Sequence, residues 1–131
     1  MKLLLDTHTF LWSVLEVSKL SETARSALAD PANQVFVSSV TFWEIALKAS
    51  LGKLTLQGCT PESLIDAAAV QGFELLSLDP ASAASSANLP RRADHRDPFD
   101  RMLIWQALRG DMVLVSRDER IRASEELRVL W

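Results

Sequence analysis

At 131 residues the chain has the length of one domain, and 48% apolar with 24% charged residues excludes a disordered tail. A formal charge of −3 and a pI near 5.3 argue against a non-specific nucleic-acid coat, though not against an enzyme that meets nucleic acid through metal ions and a local arginine patch. The lone Cys59 excludes an intramolecular disulfide and a cysteine-bound zinc cluster, so a reduced, cytoplasmic setting is expected.

"MKLLLD" is too short an apolar run for a signal peptide, and no stretch approaches the ~20 apolar residues of a membrane span, so a soluble chain is expected. "KLLL", ending at Asp6, has the pattern of a buried strand, and helical signals follow through "FLWSVLE". "LSETARSALADP" offers Ser21 as an N-cap and Pro31 as a stop. "QVFVSS" reads as a second buried strand, and "SVTFWEIALKASLGKL" as a helix capped near Ser39 and ended at Gly52. "TPESLIDAAAVQG" is a further helix, "FELLSL" a third strand, and "DPASAASSANLP" a short helix bounded by prolines. The basic loop "RRADHR" leads into the helix "DPFDRMLIWQALRG". "MVLVS" is the most strand-like run, and a helical stretch over 119–126 precedes "RVLW", a closing strand. Strands alternating with helices predict one three-layer α/β/α domain over residues 1–131, with a mostly parallel sheet of four to five strands.

Ligands in open α/β sheets bind beyond the carboxyl ends of the strands. Four acids fall where that rule looks: Asp6 after the first strand, Asp118 two residues past "MVLVS", Glu44 in the helix after "QVFVSS", and Asp100 in the first turn of the helix before "MVLVS". Each has an ordinary structural use. Asp6 can cap a helix, Glu44 can pair with Lys48 four residues on, Asp97 can cap the helix that Pro98 begins, and Asp100 favours the helix dipole. Together at one edge they call for a cation, because like charges repel. An all-carboxylate set suits Mg²⁺ or Mn²⁺ better than zinc. Such ions lower the pKa of water and neutralise phosphoryl charge, so phosphodiester hydrolysis is the expected chemistry.

"LLLDTHTFLW", "SSVTFWEIALKASLGKL", "DPFDRMLIWQA" and "LVSRD", in this order and spacing, give a chain that resembles the PIN-domain ribonucleases, and among them the VapC-type toxins of bacterial toxin–antitoxin pairs. The resemblance spans nearly the whole chain. It implies a PIN-like fold and a catalytic, metal-ligating quartet of Asp6, Glu44, Asp100 and Asp118. "DPFD" offers two acids, and Asp100 is favoured as the ligand, with Asp97 beside it as cap or support. Thr7 and Ser116 take supporting places next to the acids. The resemblance further implies a Mg²⁺- or Mn²⁺-dependent endoribonuclease acting on RNA, a cognate antitoxin, a toxin homodimer and a toxin–antitoxin hetero-oligomer, with no membrane partner. Trp105 departs from the small residue that often follows "LI" in the pattern. A PIN-like binding or assembly module without activity is the alternative, and retention of all four acids speaks against it. A receiver-like domain is disfavoured because Asp6 stands alone and "LVSRD" contains no lysine.

Arg91, Arg92, Arg96 and Arg101 form the dense positive patch, read either as RNA phosphate contacts or as a solvated loop balancing nearby aspartates. His95 and His8 are set aside as bystander and structural residues. Trp43 and Trp105 are expected in the core, while Trp12 and Trp131 are candidates for either core or partner surface. Phe10, Leu11, Trp12, Val14 and Leu15 cover more than one face of the first helix, which predicts an exposed apolar patch there for a protein partner.

Overall fold

The apolar run after Met1 becomes the middle of a sheet. A computed structural model describes residues 1–92 and 95–131, so Ala93 and Asp94 of the expected basic loop lie outside the described residues. In chain order the elements are β1 (Lys2–Leu5), α1 (Thr7–Leu15), α2 (Glu22–Ala29), β2 (Gln34–Ser38), α3 (Ser39–Ser50) and α4 (Pro61–Val70). There follow β3 (Glu74–Leu76), α5 (Pro80–Ser85), α6 (Pro98–Gly110), β4 (Val113–Val115), α7 (Glu119–Arg122) and β5 (Val129–Leu130). The strands pair in the order β3-β2-β1-β4-β5 and every pairing is parallel, with Leu4 of β1 opposite Phe36 on one side and Leu114 on the other.

A strand that alternates its side chains between two covered faces must be apolar throughout. Leu3 and Leu5 pack with Phe10, Ile45, Leu64 and Ala68 on one face, while Leu4 packs with Leu103, Ala107, Leu114 and Ile121 on the other. All three leucines are fully buried, so truncating Leu4 to alanine would cost about 2–5 kcal/mol. The helices on both faces make the predicted three layers, and no helix among the described residues is long and apolar enough to cross a membrane.

Four expectations need correction. The N-cap of α3 is Ser38, not Ser39: the Ser38 hydroxyl accepts the Val40 N–H at 3.0 Å and also donates to Gln106 on α6. The helix expected over 119–126 stops at Arg122. Trp43 is 61% exposed rather than buried, with Leu47 and Leu51 exposed on the same face of α3. The α1 patch is largely closed, because Phe10 and Leu11 are buried and Trp12 and Val14 pack against the core, leaving only Leu15 open among those residues. Trp105 is half-buried in the core of the α6 face, and its indole N–H donates to the Ser85 hydroxyl at 3.1 Å. Trp12 and Trp131 lie against each other, ring centres 5.9 Å apart, and both pack on the core.

Candidate active site

β1 is central, and the chain leaves it towards β2 on one side and returns beside it as β4 on the other. That reversal opens a crevice beyond the carboxyl ends of β1 and β4. Asp6 directly follows β1 and Ser116 directly follows β4, so both enter it from the sheet, while Glu44 comes from the second turn of α3 and Asp100 from the first turn of α6. These elements bring Asp6, Glu44, Asp97, Asp100 and Asp118 to one cleft of about 510 Å³, as the sequence predicts.

The acids are held unequally. Asp6 is 6% exposed and N-caps α1. It accepts the Thr9 N–H on one oxygen at 2.9 Å and the Ser116 hydroxyl on the other at 2.6 Å. Burial raises its pKa against the lowering pull of those hydrogen bonds. Ser116 in turn accepts the Asp118 N–H at 3.1 Å, so one hydroxyl ties two acids of the quartet together. Thr7 supports Glu44, donating to Oε1 at 2.6 Å, and Lys48 pairs with Oε2. Glu44 is buried, so this pair is part of the cleft and not a solvated helix-surface pair. Burial opposes the charge on Lys48, yet its pKa is raised by Glu44, with Asp97 and Asp100 adding to the effect.

Asp97 caps α6, its Oδ1 accepting the N–H groups of Phe99 at 2.9 Å and Asp100 at 3.0 Å. Asp100 itself is pushed up to about 7, first by burial and then by the charges of Asp97, Glu44, Asp6 and Asp118. Four carboxylates raising the pKa of a fifth is the behaviour of acids that share one field. Asp118 caps α7 and pairs with Arg120 at 3.1 Å. Partial burial opposes its charge, but the Arg120 hydrogen bonds hold its pKa below the usual carboxylate range.

The predicted arginines do not join the acids. Arg91, Arg92, Arg96 and Arg101 line a neighbouring cavity of about 730 Å³. Arg101 also closes the preceding loop, donating to the carbonyls of Leu89 at 2.9 Å and Pro90 at 3.1 Å. The cations that reach the acid cleft are Lys48, Arg117 and Arg120, of which the sequence points only to Lys48, as a partner of Glu44. His95, a bystander by sequence, is 4% exposed and places Nε2 3.4 Å from Asp100 Oδ2.

All-oxygen donors suit a hard divalent cation. Among the described residues no three His, Cys, Asp or Glu side chains are drawn tightly enough to grip an ion as they stand. The set nevertheless fits such an ion by chemistry, because Asp100 and Asp118 are only partly buried and Asp100 is repelled by every acid around it.

The family model for the PIN domain matches residues 3–127. Ribonuclease VapC22 of Mycobacterium tuberculosis is 28% identical over 120 residues, covering 92% of this chain and 89% of the relative. The crystal structure of VapBC2 from Rickettsia felis, bound to a DNA fragment from their promoter, aligns with a TM-score of 0.72 at 14% identity, over 99% of this chain and 98% of that one. DNA-bound VapBC from Salmonella typhimurium aligns with a TM-score of 0.65 at 23% identity, over 99% and 97%. These structural likenesses are of fold. The family match, running from β1 past α7 and enclosing every acid of the cleft, shows that the chain belongs to the PIN domain family.

Proposed function

We propose that the protein is a Mg²⁺- or Mn²⁺-dependent endoribonuclease, the toxin of a toxin–antitoxin pair acting in the cytoplasm. The observation that carries this reading is the meeting of Asp6, Glu44, Asp100 and Asp118 in one cleft, with Asp100 pushed up to about 7 by its neighbours. The ribonuclease relative and the VapBC structures of like fold support the same choice among phosphodiester hydrolases and suggest an antitoxin as partner.

The quartet would hold the ion, which when bound would neutralise phosphoryl charge and lower the pKa of water. The chain's own residues set where this happens. Thr9 and Ser116 fix the Asp6 carboxylate, and Thr7 fixes that of Glu44, so the two deepest acids cannot swing. Asp100 and Asp118, nearer solvent, would meet the substrate side. Lys48, Arg117 and Arg120 line the same cleft and would attract an RNA phosphate to a site otherwise hostile to anions. Arg91, Arg92, Arg96 and Arg101 would hold phosphates further along the strand without reading sequence.

The test is cleavage of structured RNA by purified protein with Mg²⁺ or Mn²⁺, and again with EDTA. Cleavage is expected only with the ion. Full-rate cleavage in EDTA would rule out the metal mechanism, and no cleavage under either condition would favour an inactive module.

A further inference from the structure

Three of the four acids have their carboxylates fixed by a donor: Asp6 by Thr9 and Ser116, Glu44 by Thr7 and Lys48, Asp118 by Arg120. Asp100 is the exception, since among the described residues its carboxylate accepts no hydrogen bond. Close to it lies the imidazole of His95, with Nε2 3.4 Å from Oδ2. His95 is only 4% exposed, and among the described residues neither ring nitrogen has a hydrogen-bond partner. An unsatisfied buried polar group costs roughly 1–3 kcal/mol, so a ring kept in this state needs a reason.

The loop holds the ring there. An antiparallel bridge joins Arg92 to His95, and His95 N–H donates to the Arg92 carbonyl at 3.3 Å. Two residues on, Asp97 fixes the start of α6 and hence the backbone of Asp100. The backbones at both ends of the contact are therefore anchored, and side-chain rotation, that of the Asp100 carboxylate above all, is left to close it. Closing 3.4 Å to the ~2.9 Å of an ordinary N–H···O bond needs a small rotation of that carboxylate.

From this geometry we infer that His95 is a positioning residue: its Nε2–H orients the Asp100 carboxylate and leaves the other oxygen for the divalent cation. The inference rests on the metal-dependent reading above. Ligating carboxylates elsewhere are oriented in this way, and loss of such a partner typically weakens metal binding ~10–100-fold.

The test uses Mn²⁺ alone as probe, with free ion measured by electron paramagnetic resonance on the full chain. His95→Phe keeps a buried ring and removes the donor. It is expected to keep or raise the metal-free melting temperature, since it removes two unsatisfied buried nitrogens, weaken Mn²⁺ binding about tenfold, and lower kcat on RNA with KM unchanged. Combined with Asp100→Asn, it should cause no further loss of Mn²⁺ affinity, because the two act through one contact. His95→Gln and His95→Met are similar in length and differ in the amide donor, so they decide the matter even if the Phe variant does not fold. Gln retaining affinity while Met loses it supports the role. Equal Mn²⁺ affinity in His95→Met and the wild type overturns it while leaving the metal reading intact. A wild-type chain that binds no Mn²⁺ overturns both.

Discussion

Asp97 and Asp100 stand three positions apart in one helix start and meet different physics. Asp97 uses a single oxygen, Oδ1, to accept two backbone N–H groups, and asparagine would keep that oxygen. Asp97→Asn is therefore expected to fold normally and retain substantial RNA cleavage, while Asp100→Asn abolishes it. The reverse pattern would move the ligand role to Asp97. The same pair gives a pH prediction for the metal-free protein. Asp100 is raised from the ordinary 3.8 to about 7, so the folded state holds this proton more tightly than the unfolded chain. Its stabilising contribution is complete below the ordinary value and is lost as pH rises through 7. Burial holds His95 below its ordinary 6.5, which slopes the other way, and because His95 lies 3.4 Å from Asp100 the comparison with Asp100→Asn reports the aspartate together with its effect on that ring. In EDTA, Asp100→Asn should melt above wild type at about pH 8, by several degrees, and the gap should shrink towards about pH 5. A gap independent of pH, followed by calorimetry, would count against the shared field. Asp6 and Asp118 were legible because acids after strands mark the binding edge of an α/β sheet, whereas Glu44 and Asp100, which sit within helices, were singled out by their place in the family's motifs. His95 was not, since its burial comes from a loop folding back through the Arg92–His95 bridge and leaves no trace in periodicity.

At the scale of elements, every strand and helix was legible as an apolar run or a capped periodic segment, but two boundaries, the start of α3 and the end of α7, and one orientation were not. "VSSV" presents two adjacent serines, and either can cap a helix by local chemistry alone. Tertiary structure decides for Ser38, whose hydroxyl bridges the α3 N-terminus to Gln106 on α6, both buried. Ser39 instead faces out and accepts the Leu78 N–H at 3.0 Å. Ser38→Ala should therefore cost about 2 kcal/mol in urea denaturation, from the lost cap plus an unsatisfied Gln106. Ser39→Ala should cost at most about half that. Equal losses would mean that the Ser38–Gln106 link contributes nothing. Orientation failed for α3 because its polar stripe turns inward. Thr41, Glu44 and Lys48 serve the cleft, so the apolar residues Trp43, Leu47 and Leu51 are left outside. An apolar-in, polar-out reading inverts wherever a buried site needs the polar face.

For the whole molecule, that inversion leaves a ridge that needs covering. Trp43 is 61% exposed, Leu47 38% and Leu51 58%, spaced i, i+4, i+8 along α3. Trp43 also lies edge-on to Phe99, ring centres 5.0 Å apart, which carries the ridge to the start of α6 beside the cleft. Ala46 and Ser50 complete the exposed face and Lys48 is drawn to Glu44, so the strip carries no charge of its own. An uncharged apolar strip is self-complementary, and two copies related by a two-fold axis can bury it without setting like charges together. The homodimer that the family resemblance implies should therefore form through α3 rather than through α1, whose apolar residues are mostly committed to the core. In light scattering the isolated chain should run at about twice 14.6 kDa, and Trp43→Glu should bring it to the monomer mass. The variant should keep the wild-type circular dichroism, since Trp43 supports no buried contact of the sheet. A wild-type monomer, or a dimer indifferent to Trp43→Glu but broken by Leu15→Glu, would move the interface off α3.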